Sequence, residues 1–219
     1  MKHRILVAGG AGYIGSHVQK QLLEDGFEVA VFDDLSSGDR KNILPGAAFI
    51  EGNILDKAAL NAAMRQEIDG VVHLAAKKAV GESMVKPELY AENNISGSIN
   101  ILNAMAENGV KHIVFSSSAA VYGMPEYVPI DEDHRIAPIN YYGYTKLEGE
   151  KRIAAVCRDY AIVRVVVVYG AALPGQHGNV LQLVANRLRN NEEVFVVSDQ
   201  WRTPTFVGDV SQGVEKLIN

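Results

Sequence analysis

Arg4-Ile5-Leu6-Val7-Ala8-Gly9-Gly10-Ala11-Gly12-Tyr13-Ile14-Gly15 is the stretch on which the fold turns. Ile5 to Ala8 is continuously apolar, as expected of a strand covered on both faces. The next seven residues contain Gly-x-x-Gly-x-x-Gly (Gly9, Gly12, Gly15), and a helical pattern runs from Tyr13 to Glu24. Glycines in such a place let the chain turn tightly, bring a pyrophosphate against main-chain N–H groups at a helix N-terminus, and let helix and strand pack closely. A second strand pattern, Glu28 to Phe32, leads directly to Asp33, 18 residues after Gly15. A carboxylate there can accept both hydroxyls of an adenosine ribose. Asp34 beside it disfavours a 2'-phosphate, so the expected cofactor is NAD rather than NADP.

The same alternation continues outward. Strand patterns at Ala48 to Glu51, Gly70 to Leu74 and His112 to Phe115 are interleaved with helical ones at Lys57 to Arg65 and Pro87 to Glu107. Such alternation predicts βαβ units and a parallel sheet, hence an α/β, Rossmann-type, doubly wound fold. A helix is expected from Tyr141 to Arg158 and a strand within Ala161 to Tyr169, then a loop at Leu173 to Gly178. Further on, the patterns predict a helix near Val180 to Leu188, a strand near Val194 to Val197 and a last helix near Asp209 to Ile218. The composition of the chain changes near Gly170. Residues 1–169 therefore read as a cofactor-binding domain and residues 170–219 as a small substrate-facing region.

A second constellation follows the strand at His112. Ser116-Ser117-Ser118 stands at its carboxyl end, where doubly wound sheets bind ligands, and Tyr142-Gly143-Tyr144-Thr145-Lys146 opens the next helix. Tyr142 and Lys146 are four apart and share a helical face. A nearby ammonium favours a phenolate, which predicts a Tyr142 pKa lowered toward the operating pH, as acid-base work requires. A serine hydroxyl could orient a substrate hydroxyl between them.

The chain has 219 residues, 21 Lys+Arg and 26 Asp+Glu, a net charge of −5, and 47% hydrophobic positions. This is a globular composition without the basic face of a nucleic-acid binder. Cys157 is the one cysteine, which excludes an internal disulfide framework and fits a reducing compartment, the cytoplasm by default. The six histidines show no ligand spacing, and no metal is expected. His73 reads as a packed structural residue, Glu148, Glu150, Lys151 and Arg152 as a solvated helix face, and Trp201 as a loop aromatic. No apolar run approaches the roughly 20 residues of a membrane-spanning helix, and Gly9 and Gly10 break the first one too soon for an export signal.

These motifs together resemble the extended short-chain dehydrogenase/reductases of the NAD-dependent epimerase/dehydratase type. Residues 1 to about 160 are most similar to the sugar-nucleotide 4-epimerases among them. The matching stretches are Gly9 to His17, His73 to Ser83, Asn93 to Gly97, Phe115 to Gly123 and Tyr142 to Lys146. The resemblance implies that Ser118, Tyr142 and Lys146 form the catalytic group. It also implies an NAD site built from Gly9, Gly12, Tyr13, Ile14, Gly15, Asp33, Asn53, Ile54, Leu74, Ala75, Ala76, Lys78, Asn94 and Ser116, with Tyr142 and Lys146 at its reactive end. Asn53 stands where the family usually carries an aspartate that meets the adenine amine, and its amide oxygen can still accept that hydrogen bond. The implied reaction is hydride removal from C4, a 4-keto intermediate and hydride return. Lys78, Ser118, Tyr142, Asn179 and Arg202 would contact the nucleotide-sugar substrate, Arg202 through its diphosphate.

Beyond Arg164 the pattern departs from the epimerases. Val167 stands where the family's strand carries a substrate-binding asparagine, and Asp199 to Asp209 is more similar to dTDP-4-dehydrorhamnose reductases. Family members also continue for several elements after the last helix, so the substrate-facing region is expected to be short. Three functions stay open at this point: a UDP-glucose/UDP-galactose type 4-epimerase, a net oxidoreductase of a sugar nucleotide, and an NAD-binding module with little catalysis. Family members commonly pair helices into a homodimer. Ile95, Ile99, Leu102 and Met105 form an apolar stripe that could face either a partner or the sheet.

Overall fold

The structure is a computed structural model and describes residues 3–171, 180–199 and 202–219. Six parallel strands form one sheet: β1 (Arg4–Ala8), β2 (Glu28–Asp33), β3 (Ala48–Glu51), β4 (Gly70–His73), β5 (His112–Ser118) and β6 (Asp159–Val165). Their order is β3-β2-β1-β4-β5-β6. Ile5 of β1 stands beside Val29 of β2 on one side and Gly70 of β4 on the other. Strand order reverses between β1 and β4, and the crevice outside their carboxyl ends is where a ligand fits in such a sheet.

The alternation of β1 distributes the core. Leu6 and Ala8 point into one layer with Leu60 and Met64 of α2 (Lys57–Met64) and Ile101 of α5 (Gly97–Asn108). Ile5 and Val7 point into the other, with Val18 and Leu22 of α1 (Tyr13–Glu24). Large side chains buried this way contribute about 1.5–3 kcal/mol each. The second layer is completed by α8 (Val207–Ile218), whose Val210, Val214 and Ile218 recur at helical spacing and join the Ile5 cluster. The last helix therefore seals the cofactor sheet, although it lies in the stretch read as substrate-facing.

Several elements differ from expectation. The Pro87 to Glu107 helix is interrupted: α4 (Pro87–Tyr90) passes through a π-helical turn, Ala91–Ser96, into α5. A short helix, α3 (Val80–Val85), precedes it. The valine-rich run after Ala161 is not one strand. It breaks after β6, and β7 (Val168–Tyr169) pairs with β8 (Thr205–Phe206) in a separate two-stranded sheet. Between β6 and β7, Val167 is left-handed (φ 32°), a conformation uncommon for a β-branched residue. The helix near residue 180 forms as α7 (Val180–Arg189), but Val194 to Val197 is not a strand, and Phe195 is 87% exposed. Its apolar alternation has no neighbouring strand to pair with among the described residues. Leu102 and Met105 are buried in the core, while Ile95 and Ile99 are half-buried, so much of the α5 stripe faces inward.

Candidate functional site

A cleft of about 580 Å³ runs along the carboxyl ends of the strands, from Asp33 and Asp34 past the glycine turn to Ser116, Ser118 and Tyr142. At Gly9 (φ 82°) a side chain would be strained and its Cβ would lie 2.5 Å from the Ala75 nitrogen, so only glycine fits. A Cβ on Gly15 would collide with the Gly9 carbonyl oxygen. Gly12 caps α1 without any side-chain contact, and the first turn of the helix opens toward the cleft with its positive end.

Asp33 ends β2 and is tied to the turn: the Ala11 and Leu35 amides donate to its two oxygens, both at 2.9 Å. Burial raises its carboxyl pKa, against those two donors. Each oxygen keeps lone-pair capacity on the cleft side. Asn53 is held otherwise than expected. Its Nδ2 donates to Asp34 at 2.6 Å and its Oδ1 accepts from the Leu55 amide at 2.8 Å. The flanking Gly52 and Ile54 line the cleft and Asn53 does not. Asp34 also accepts from the Ser36 hydroxyl and amide, which places a second carboxylate in the cleft wall near the ribose end.

Leu74, Ala75, Ala76 and Lys78 line the middle of the cleft. Asn94 does not; it is buried in the π-helical turn. Its side chain accepts from the Lys77 amide at 2.8 Å and donates to the Lys77 carbonyl and to Thr145 Oγ1, both at 3.0 Å. Its hydrogen-bonding capacity is spent on protein, so Asn94 shapes the loop after β4, and its neighbour Asn93 reaches the cleft.

At the far end the three serines of β5 each engage α6 (Tyr141–Val156). The Ser116 carbonyl accepts from the Lys146 ammonium at 2.7 Å. Ser117 Oγ donates to Glu150. Ser118 is hydrogen-bonded to the Tyr142 hydroxyl. The expected depression of the Tyr142 pKa is reversed: burial raises it, and the bond with Ser118 opposes the rise. The Lys146 nitrogen lies 5.9 Å from the Tyr142 ring centre, and 5.0 Å from that of Phe115. Burial lowers its own pKa to about 8. In this arrangement one of its three N–H groups is donated to a backbone carbonyl.

Glu150 corrects a further expectation. It is buried beneath α6, where Arg164 Nε donates to its Oε1 at 2.9 Å and a terminal guanidinium nitrogen to its Oε2 at 2.7 Å. Glu148 instead pairs with Lys151 and Arg152, as a helix face does. The signals for Glu150 were its spacing of four from Lys146 and an arginine inside a run of valines, since a charge there needs a partner.

Val165, Val167 and Val168 complete the wall beside Ser118. Arg202 is exposed and outside the cleft lining. Asn179 and Trp201 lie outside the described residues. No described group of His, Cys, Asp and Glu is arranged to hold a metal, and no described helix is long and apolar enough to cross a membrane.

Comparison with known proteins agrees with this geometry. The profile of the NAD dependent epimerase/dehydratase family matches residues 5–219. UDP-glucose 4-epimerase of Lactobacillus helveticus is 42% identical over 231 residues, covering 99% of this chain and 70% of that protein. Among solved structures, UDP-glucose 4-epimerase from Brucella ovis in complex with NAD superposes with a TM-score of 0.88 at 31% identity, covering 99% of this chain and 73% of that one. The UDP-glucose 4-epimerase of Thermotoga maritima with UDP-glucose gives a TM-score of 0.88 at 34% identity, over 95% and 71%.

Proposed function

Because the chain belongs to the NAD-dependent epimerase/dehydratase family, we propose that it is an NAD-dependent 4-epimerase of a sugar nucleotide of the UDP-glucose/UDP-galactose type. The observation that carries this reading is one continuous cleft with Gly9, Gly12 and Asp33 at one end and the hydroxyls of Ser118 and Tyr142 at the other. The residues fit the cofactor. The glycine turn is a cradle that any Cβ would fill, the helix end suits a pyrophosphate, and Asp33 suits a ribose diol. Bound NAD supplies reversible oxidation of the C4 carbinol.

The chain supplies the rest. Tyr142 takes the C4 hydroxyl proton and returns it, and Ser118, already bonded to Tyr142, orients that hydroxyl between them. Lys146 contributes a fixed positive charge on the same helix face, which favours the phenolate when the site is loaded. Inversion requires the 4-keto sugar to present its other face. Val165, Val167 and Val168 offer it a wall with no directional hydrogen bonds to resist that turn. Within residues 1–169 lie the cofactor site and the catalytic group. In 170–219 α8 supports the sheet, and Asn179 and Arg202 are assigned to the nucleotide from the family resemblance alone. The same reading includes cytoplasmic location, consistent with the lone Cys157, and a homodimer formed through α5 and α6.

Purified protein with NAD is expected to convert UDP-glucose to UDP-galactose without net change in nicotinamide absorbance. The Tyr142→Phe variant should keep NAD and lose turnover by about 10²–10⁴-fold. A stoichiometric absorbance change would make the protein a net oxidoreductase, and NAD binding without turnover in the parent would make it a binding module.

A further inference from the structure

We propose that Glu150, held by Arg164 and Ser117, is the positioning residue that keeps Lys146 and Tyr142 of α6 in register with Ser118 of β5; the inference rests on the catalytic reading above. Three polar contacts of α6 with β5 fall on consecutive residues of the strand and one helical turn apart on the helix. Ser118 meets Tyr142, Ser116 meets Lys146, and Ser117 meets Glu150. Residues 142, 146 and 150 share one face of α6. The first two contacts are the chemistry. The third does no chemistry, yet it is the most heavily anchored of the three.

Glu150 is 5% exposed and accepts three hydrogen bonds, one from Ser117 and two from Arg164. Arg164 belongs to β6, and a further guanidinium nitrogen donates to the Tyr122 hydroxyl at 2.9 Å. The guanidinium also lies 5.0 Å from the centre of the Tyr122 ring. One carboxylate thus ties α6 to β5, to β6 and to the turn after β5. A planar guanidinium gripping both carboxylate oxygens fixes orientation as well as distance. Rotation or sliding of α6 that moved Tyr142 away from Ser118 would also have to break this grip.

The carboxylate also sets the charge around Lys146. The groups that face the ammonium are the Ser116 carbonyl and Phe115 ring of β5, Tyr142 and Glu150 of α6, and His73 of β4. Thr145 and Asn94, packed alongside, do not titrate. Glu150 is the one anion among these groups, and it raises the lysine pKa while burial lowers it. Its removal lets the ammonium lose its proton at lower pH.

The test compares the parent with Glu150→Gln and with the double variant Glu150→Gln/Arg164→Met. Glutamine keeps the shape and one acceptor oxygen and removes the charge. In Glu150→Gln, kcat for UDP-glucose should fall about 10–100-fold, as expected of a misplaced catalytic group. KM and NAD affinity should stay within about threefold, and the alkaline limb of the kcat profile should move down by about one pH unit. The double variant separates positioning from mere neutralisation of Arg164. Removing both members of a buried pair is tolerated far better than removing one, so stability should recover while kcat and the shifted limb do not. Recovery of kcat in the double variant would overturn the inference, as would a Glu150→Gln enzyme with parental kcat and pH profile and only a lower Tm. If Glu150→Gln does not fold, the double variant decides alone.

A titration that needs no substrate keeps this apart from the catalytic reading. In lysine-labelled protein the Lys146 Cε resonance, assigned by its loss in Lys146→Met, should titrate near pH 8 in the parent. In either variant it should titrate about one pH unit lower. A parent that does not turn over UDP-glucose defeats the proposed function. An unmoved Lys146 titration defeats this inference.

Discussion

His73 offers a prediction whose size follows from its surroundings. It ends β4 directly beneath the cleft and is fully buried, with its Nε2 2.8 Å from Ser98 Oγ. Ser98 Oγ donates its own proton to the Asn94 carbonyl at 2.6 Å, so the Nε2–H of His73 must be the donor to Ser98. Nδ1 is then an unprotonated nitrogen, and it has no hydrogen-bond partner among the described residues. Protonating it would bury a cation with no acceptor, beside the Lys146 ammonium. Burial, and then that ammonium, lower the His73 pKa from 6.5 to about 3. The unfolded chain takes up this proton near pH 6.5 and the folded chain does not, so stability is lost as pH falls from about 6.5 toward 3. Between about pH 7 and about pH 4.5 the loss from this one group is about 2.5 kcal/mol, at 1.36 kcal/mol per pH unit.

The matching variant is His73→Gln, whose amide can still donate to Ser98 and does not titrate. The variant is less stable than the parent at every pH because the smaller side chain leaves space beside Phe115, whose ring centre lies 5.3 Å from that of the imidazole. The diagnostic quantity is the pH dependence, not the offset. Urea unfolding of cofactor-free protein at about pH 7 and about pH 4.5 should show the parent losing about 2.5 kcal/mol more than the variant. Equal losses in the two proteins would refute the argument. They would mean that His73 protonates inside the fold, by a water at Nδ1 or by movement of Lys146.

Lys146 carries the complementary alkaline prediction. Its folded pKa of about 8 lies below the ordinary lysine value of 10.5, so the penalty of burying its charge is relieved as pH rises through about 8. Relative to Lys146→Met, the cofactor-free parent should gain stability over the alkaline range up to about 10.5, measured by urea unfolding. Val167→Asn should stabilise the protein by about 1 kcal/mol, because asparagine tolerates the left-handed region that valine resists; a lower Tm would count against strain at Val167. Gly9→Ala should destroy NAD binding, since its methyl would overlap Ala75, and equilibrium dialysis reads this directly. Asp33→Ser should weaken NAD by about tenfold, the loss of one charge-assisted contact, and narrow the gap between NAD and NADP in a competition titration.

Much of this protein was legible in its sequence because the deciding signals are local. A glycine's freedom at Gly9, the apolar run of Ile5 to Ala8, the distance from Gly15 to Asp33 and the spacing of Tyr142 and Lys146 each concern residues close in the chain or one strand apart. Local sterics and periodicity act there without help from the rest of the fold. The parallel sheet, the glycine turn at the cleft and the shared helix face of Tyr142 and Lys146 follow from them.

Tertiary structure decided what depends on partners far away in sequence. Glu150 looked like a surface residue until Arg164 and Ser117 closed over it, and Asn94 and Asn53 spend on Lys77, Thr145, Asp34 and Leu55 the hydrogen bonds that might have faced a ligand. Val194 to Val197 has the pattern of a strand and, among the described residues, no strand beside it. The valine run after Ala161 bends at Val167 because β7 pairs with β8 and not with the main sheet. The Tyr142 pKa rises, where spacing alone predicted a fall, because burial outweighs the hydrogen bond with Ser118, while Lys146 turns to the Ser116 carbonyl. Periodicity says which residues share a face; only the assembled fold says what that face meets and how much water it loses, and those two quantities set the energy of every buried charge.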